Sequence, residues 1–207
     1  MKHDVTIIGA GPAGLGFARS LANTGLQVVI IEKQSAAELK APAFDGRDIA
    51  LTHRSVRIMK ELGVWSRIDA DAIGSIRQAK VFDGTSQYFL NFERQKGTTE
   101  PLGYIISNHL IRKALYEEVE TVANVEIITD AAVISVKTND NKAIVALSNG
   151  ETIESALVVA ADSRFSETRR MMGISAAMHD FGRVAIVCRM AHEQAHHDVA
   201  FECFHYG

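Results

Sequence analysis

Val5-Thr6-Ile7-Ile8-Gly9-Ala10-Gly11-Pro12-Ala13-Gly14 is the stretch that decides the fold. An apolar run enters a tight glycine turn and an amphipathic segment leaves it, which is the order strand, phosphate loop, helix. Gly9 permits the sharp turn, Gly11 lets a diphosphate approach the backbone, and Gly14 lets the helix pack closely on the strand. The helix N-terminus then faces the anion. A lone GxGxxG is a weak signal, because a tight turn can need glycine for structural reasons only. Here the flanks complete the pattern: Val5 and Ile7 before the turn, Ala18 and Leu21 after it, and Val28 and Ile30 alternating toward Glu32 at the end of a second strand. Glu32 stands where an acidic side chain accepts hydrogen bonds from a ribose, contacts worth about 1.5–3 kcal/mol when one partner is charged. The spacing predicts a βαβ unit that binds an adenine dinucleotide.

The rest of the composition narrows the class. The 207 residues carry 22 basic and 25 acidic side chains, a net charge of −3. Both signs are interspersed, so no basic face for nucleic acid is implied. No apolar run reaches the length of a membrane span, and Asp4 and the glycines interrupt the apolar start, which argues against a signal peptide. Cys188 and Cys203 form neither a CxxC pair nor a dense framework and suit a reducing cytoplasm.

Farther along, Lys33 to Phe44 reads as a surface loop and Asp45 to Thr52 as a charged loop before a helix. Thr52 or Ser55 caps that helix, Val56, Met59 and Leu62 form its apolar face, and Gly63 stops it. Arg47, within the charged loop, is a candidate second contact to a diphosphate. From Ile76 the period changes to two. Ala79–Phe82 is expected as a strand, Asp83-Gly84 as a two-residue hairpin turn, and Tyr88, Leu90 and Phe92 as one face of the return strand. Gly103 to Ser107 leads into a helix from Leu110 to Val122, with Asn108 as its N-cap. Val125–Ile128 is a third sheet strand. Val133–Thr138, Ala143–Leu147 and Thr152–Glu154 form a meander, and Leu157–Ala161 returns as a central parallel strand that ends at Asp162.

The order of these motifs resembles a known family. GAGPAG with Glu32, DGRDIALTHRS before a helix ending ELGVW, GYIISNHLIRKAL and VVAADSRFSETRRMMGI together resemble the single-component FAD-dependent aromatic hydroxylases, the para-hydroxybenzoate hydroxylase superfamily. Within it the likeness is to the hydroxylases of ubiquinone biosynthesis, most of all the 5-demethoxyubiquinol 5-hydroxylase branch, and it covers the N-terminal half of such enzymes. The resemblance implies an α/β fold: a three-layer FAD-binding Rossmann-like domain with a β-meander, plus part of a β-rich substrate domain. It divides the chain into an FAD-binding domain at 1–75 and 101–177 and an incomplete substrate domain at 76–100 and 178–207. Gly9, Gly11, Ala13 and Gly14 would cradle the FAD diphosphate and Glu32 would hold the ribose. Arg47 would lie along the FAD, Asn108 and Arg112 at a helix start that approaches the flavin, and Asp162 in the Ala-Asp-Gly motif. Ser163 stands in place of that motif's glycine, so a left-handed backbone there would carry strain.

The same likeness implies a monooxygenase that uses NADH or NADPH and O₂ to hydroxylate an aromatic or quinol substrate. The cofactor supplies the chemistry, so no catalytic acid or base is singled out. A prenylated quinol implies a cytoplasmic enzyme in peripheral contact with the inner membrane, either as a homo-oligomer or with other ubiquinone-biosynthesis proteins. The chain stops at Gly207, where such relatives continue for a second half, so a truncated enzyme is expected. Two other readings compete. One is a non-catalytic dinucleotide-binding module. The other is a zinc hydrolase, because His192-Glu193-Gln194-Ala195-His196 matches HExxH. Against zinc, Val199 occupies the glycine position of the longer pattern and Val199–Phe204 reads as a strand.

Overall fold

A computed structural model describes residues 2–94 and 97–204. In chain order its elements are β1 (Lys2–Ile8), α1 (Pro12–Ser20), β2 (Val28–Ile31), α2 (Ala36–Lys40), β3 (Asp48–Leu51), α3 (His53–Glu61), β4 (Gly74–Ile76) and β5 (Gln78–Asp83). Then follow β6 (Phe89–Glu93), β7 (Gly103–Ser107), α4 (Asn108–Val119), β8 (Val125–Ile128), β9 (Val133–Thr138), β10 (Ala143–Leu147), β11 (Thr152–Ala160), α5 (Glu167–Met171) and β12 (Val199–Phe204). They form two compact units, Met1–Ala43 with His109–Ala185 and Phe44–Asn108 with Ile186–Gly207.

The first unit is built on a six-stranded sheet of order β8-β2-β1-β11-β10-β9. Its four strands β8, β2, β1 and β11 run parallel. Val28–Ile31 is buried at every position, as a strand covered on both faces must be. One face, with Ile8, Val29 and Ile31, packs on Val136, Val145, Leu147 and Ile153 of the meander. On the other, α1 lies over β1 and β2, burying Leu15 and Ala18. Arg19 of α1 donates to Glu118 of α4 at 2.9 Å, which ties the two helices together. The three layers expected from the resemblance are therefore present.

β11 replaces two expected strands. Residues Thr152–Ser155 pair antiparallel with β10 while Glu154–Ala160 pair parallel with β1, so the last meander strand and the central strand are one continuous element. Ala156 and Leu157 offered no turn chemistry to separate them. Lys33–Phe44 is likewise not all loop. Ser35 and Glu38 make a reciprocal capping box that starts the short α2.

The second unit holds two three-stranded sheets, β3-β7-β4 and β12-β5-β6. Asp48–Leu51, expected as a charged loop, is a strand because Ile49 and Leu51 pair antiparallel with β7. α3 starts at Thr52, whose hydroxyl accepts from the Ser55 N–H, and Gly63 follows it in a left-handed conformation at φ 78°. Asp83-Gly84 does not close a two-residue turn. Phe82 pairs with Phe89 as the last rung, and Tyr88 falls in the loop between β5 and β6. β12 is the strand expected at Val199, and it pairs parallel with β5. Residues 95, 96 and 205–207 of the expected substrate-domain segments lie outside the described residues.

Candidate dinucleotide site

In the first unit the glycine loop joins β1 to α1, and its three glycines differ in what surrounds them. At Gly9, φ is 107°, and a Cβ would stand 2.5 Å from the Ala161 carbonyl oxygen. A Cβ on Gly14 would stand 2.0 Å from the Gly9 carbonyl oxygen, which shows how closely α1 sits on the turn. A Cβ on Gly11 would meet nothing within 4 Å. Gly9 and Gly14 are thus required by the protein's own packing, whereas Gly11 borders open space. Gly11 is the N-cap of α1, no side chain caps it, and Pro12 fills the first helical position. The N–H groups of Ala13 and Gly14 fall in the first turn, where no intrahelical acceptor exists, and they suit an anion.

Glu32 is 8% exposed, and both its oxygens are engaged. Oε2 accepts from the Ala10 N–H at 2.7 Å and Oε1 from the Gln34 N–H at 3.0 Å. A carboxylate has about four lone-pair sites, so roughly two remain for ribose hydroxyls. Arg112, expected at the flavin, reaches the segment after β2, where its Nη2 donates to Gln34 Oε1 at 2.9 Å. A cavity of about 330 Å³ opens here, lined by Gly9, Glu32, Lys33, Asp162 and Thr168 among others. A larger cavity of about 590 Å³ runs along β11 toward Arg164 and Arg169 but touches neither the glycine loop nor Glu32. The smaller one meets the glycine loop at Gly9 and has Glu32 and Asp162 in its lining, while Gly11, Ala13 and Gly14 lie outside that lining.

Asp162 closes the far wall. Its Oδ1 accepts from the Ser166 hydroxyl and its Oδ2 from the Thr168 N–H at 2.9 Å. Burial works to raise this carboxyl, but the Ser166 and Thr168 hydrogen bonds hold it below its ordinary value. Ser163 has φ 123°, a region that only glycine enters freely, so the strain expected from the serine is present. Its hydroxyl recovers one long hydrogen bond, 3.3 Å from the Phe165 N–H. Ser163→Gly is expected to raise stability by about 1 kcal/mol. Urea unfolding checks this, and a destabilised variant would contradict it.

In the second unit, Arg47 and Asn108 meet at a residue that sequence reading passed over. Arg47 Nε donates to Asp45 Oδ2 at 2.9 Å, and Asn108 Nδ2 donates to the same oxygen at 2.7 Å. Asn108 is the first residue of α4 instead of its cap, and the helix ends at Val119, three residues short of the expected stop. The signal for Asp45 was its place two residues before an arginine in a glycine turn; Gly46 has φ 74°. The Arg47 guanidinium, with a smaller contribution from Asn108, holds the Asp45 carboxyl down to about 2 from its ordinary 3.8. A depressed folded-state value stabilises the protein above the ordinary carboxyl range, and that contribution is lost as pH falls through the folded value. The stability difference between wild type and Asp45→Asn is therefore expected to be constant above pH ~5, to shrink as pH falls from there, and to lose its pH-dependent part only below pH ~2, as read by denaturant titrations across that range.

The HExxH match does not form a metal-binding helix. His192 to Asp198 is irregular, His192 Nδ1 lies 2.5 Å from the Gln194 carbonyl oxygen, and His197 and Asp198 both have positive φ before β12 begins. Among the described residues, no group of three or more His, Cys, Asp or Glu side chains gathers as for a metal.

Comparison with known proteins agrees with this geometry. The chain is 50% identical over 211 residues to ubiquinone hydroxylase UbiM of Neisseria meningitidis, covering 100% of this chain and 46% of that protein. It is 31% identical over 201 residues to ubiquinone hydroxylase UbiL of Rhodospirillum rubrum, covering 97% and 46%. The chain thus spans about half the length of the curated relatives it matches. In fold it is similar to the crystal structure of p-nitrophenol 4-monooxygenase PnpA of Pseudomonas putida, with a TM-score of 0.69 and 19% identity over 83% of this chain and 44% of that one. Residues 2–206 match the FAD binding domain family, and the chain belongs to that family.

Proposed function

We propose that the protein takes part in FAD-dependent hydroxylation of an aromatic ring, a ubiquinone precursor, with NADH or NADPH as reductant and O₂ as co-substrate. The observation that carries this reading is the 50% identity to a ubiquinone hydroxylase across the whole chain, on a site whose residues fit FAD. The open space at Gly11, the first-turn N–H groups of α1 and the spare lone pairs of Glu32 suit the diphosphate and ribose. Arg47, Asn108, Arg112 and Asp162 are proposed as further FAD contacts. In this reading residues 1–75 and 101–177 serve the cofactor, and 76–100 and 178–207 serve the substrate. The substrate class, a ubiquinone precursor, is inferred from the relatives' names.

When bound, FAD accepts hydride equivalents from the reduced nicotinamide and activates O₂. The chain's own task is to bind and orient. Glu32 is fixed by two backbone N–H groups before any ribose arrives, so its carboxylate needs no reorganisation. Among the described residues no helix is long and apolar enough to cross a membrane. Access to a prenylated quinol is assigned, as part of the proposal, to peripheral contact with a bilayer.

Competition titrations test the reading. FAD is expected to bind with a yellow, flavin-type spectrum and to be displaced by ADP, which shares the loop and Glu32. FMN, which has no adenosine, is expected to bind far more weakly. Equal affinity for FMN and FAD would overturn the assignment of the glycine loop. A protein that binds ADP while ignoring FAD would instead be a non-catalytic dinucleotide-binding module.

A further inference from the structure

We propose that Asp45 is a positioning residue that holds Arg47 and Asn108 together as a preassembled pair of donors for FAD. The inference rests on the reading above, in which both donors meet the cofactor. Four hydrogen bonds converge on this carboxylate: from Arg47 Nε at 2.9 Å, from Arg47 Nη2, from the Arg47 N–H at 3.2 Å and from Asn108 Nδ2 at 2.7 Å. The Arg47 side chain is 59% exposed, so the pairing does not serve to neutralise a buried charge. It fixes the direction of a long side chain that would otherwise sample many rotamers and lose them on binding. A guanidinium has five N–H donors in a rigid fork. With Nε and Nη2 turned to Asp45, its remaining edge stays available to an anionic ligand.

The backbone beneath the two donors is fixed separately, which leaves Asp45 to set where the side chains point. The Asn108 N–H donates to the Arg47 carbonyl at 2.9 Å, one step beyond the β3–β7 rung Asp48↔Ser107. That rung is itself clamped. The Ser107 hydroxyl donates to Asp48 Oδ1, and Arg189 Nη2 donates to Asp48 Oδ1 at 2.8 Å and to Ser107 Oγ at 2.7 Å. The Arg47 guanidinium holds the Asp45 carboxyl below its ordinary value, so the fork stays engaged even into acidic solution.

The test is a set of FAD titrations, followed by quenching of flavin fluorescence, on wild type, Asp45→Ala, Asp45→Asn, Arg47→Ala and the Asp45→Ala/Arg47→Ala double variant. Thermal unfolding is measured alongside without FAD. Asp45→Ala and Arg47→Ala are each expected to weaken FAD by about tenfold, a loss typical of one charge-assisted hydrogen bond. The double variant is expected to bind about as weakly as Arg47→Ala, because Asp45 acts through Arg47. Asp45→Asn, which keeps the shape and one acceptor for Asn108, is expected to fall between wild type and Asp45→Ala. A purely structural role would lower the melting temperature equally in both backgrounds and give additive losses of affinity, and that result overturns the proposal. So does tighter FAD binding by Asp45→Ala, which would make Asp45 a competitor of the cofactor. If wild type fails to bind FAD, or Arg47→Ala leaves its affinity unchanged, the underlying reading falls and the proposal with it. An effect of Arg47→Ala without one of Asp45→Ala removes the proposal alone.

Discussion

Gly14→Ala is expected to destabilise the protein by about 3 kcal/mol, although alanine is the better helix former. In an exposed helix the substitution would gain about 1 kcal/mol. Here the added methyl would stand 2.0 Å from the Gly9 carbonyl oxygen, with the Ile7 side chain 3.3 Å away. The first obstacle is backbone and cannot rotate aside, so α1 must move off β1. Overpacking of this kind costs about 1–3 kcal/mol, and more when main chain has to shift. For a chain of this size, 3 kcal/mol corresponds to a fall in melting temperature of about 6–12 °C. Urea unfolding without FAD reads the effect directly. A variant as stable as wild type would show that α1 does not pack on the turn as described.

Gly11→Ala separates ligand from fold. Because a Cβ at Gly11 meets nothing within 4 Å, the folded chain accepts it. The cost in stability is that of replacing glycine by alanine at an N-cap, under about 1 kcal/mol. The methyl instead enters the space through which the diphosphate approaches Ala13 and Gly14. A clash of about 1.5–3 kcal/mol there weakens FAD and ADP alike by roughly 10- to 100-fold. Isothermal titration with both ligands checks this, and unchanged affinity would remove Gly11 from the site. Two alanines three positions apart thus have opposite expected signatures, one read in folding and one in binding.

The parts of the fold that were legible in the sequence are those with strong local patterns. Val5–Gly14, the buried run Val28–Ile31 and the helix capped by Thr52 each carry their period and their punctuation together. Where local signals were weak, pairing partners decided the structure. Asp48–Leu51 is polar at its start and became a strand only because β7 lies beside it. Thr152–Ala160 has no break because two different neighbours hold its two halves. The same holds for the site. Gly9 and Glu32 were readable from spacing, whereas the Asp45 fork depends on Asn108, 63 residues away in the chain, and no local pattern announces it. Arg112 was placed by likeness at the flavin, and its observed partner is Gln34, in the segment between β2 and α2, 78 residues away in the chain.

The parallel pairing of β1 with β11 also dictates the order in which the site can be made. Val5 lies opposite Leu157, the Ala161 N–H donates to the Ile8 carbonyl at 2.8 Å, and Gly9 rests against Ala161. The N-terminal loop that reads as a complete motif therefore lacks one wall until residues some 150 positions later have left the ribosome. At about 5–20 residues per second this interval is roughly 8–30 s. Throughout it Ile7 and Ile8 have β2 beside them but lack β11, their second neighbouring strand, and loop closure over so long a span is slow in its own right. The wall that Ala161 gives to the glycine loop is consequently completed only after β11 has been made.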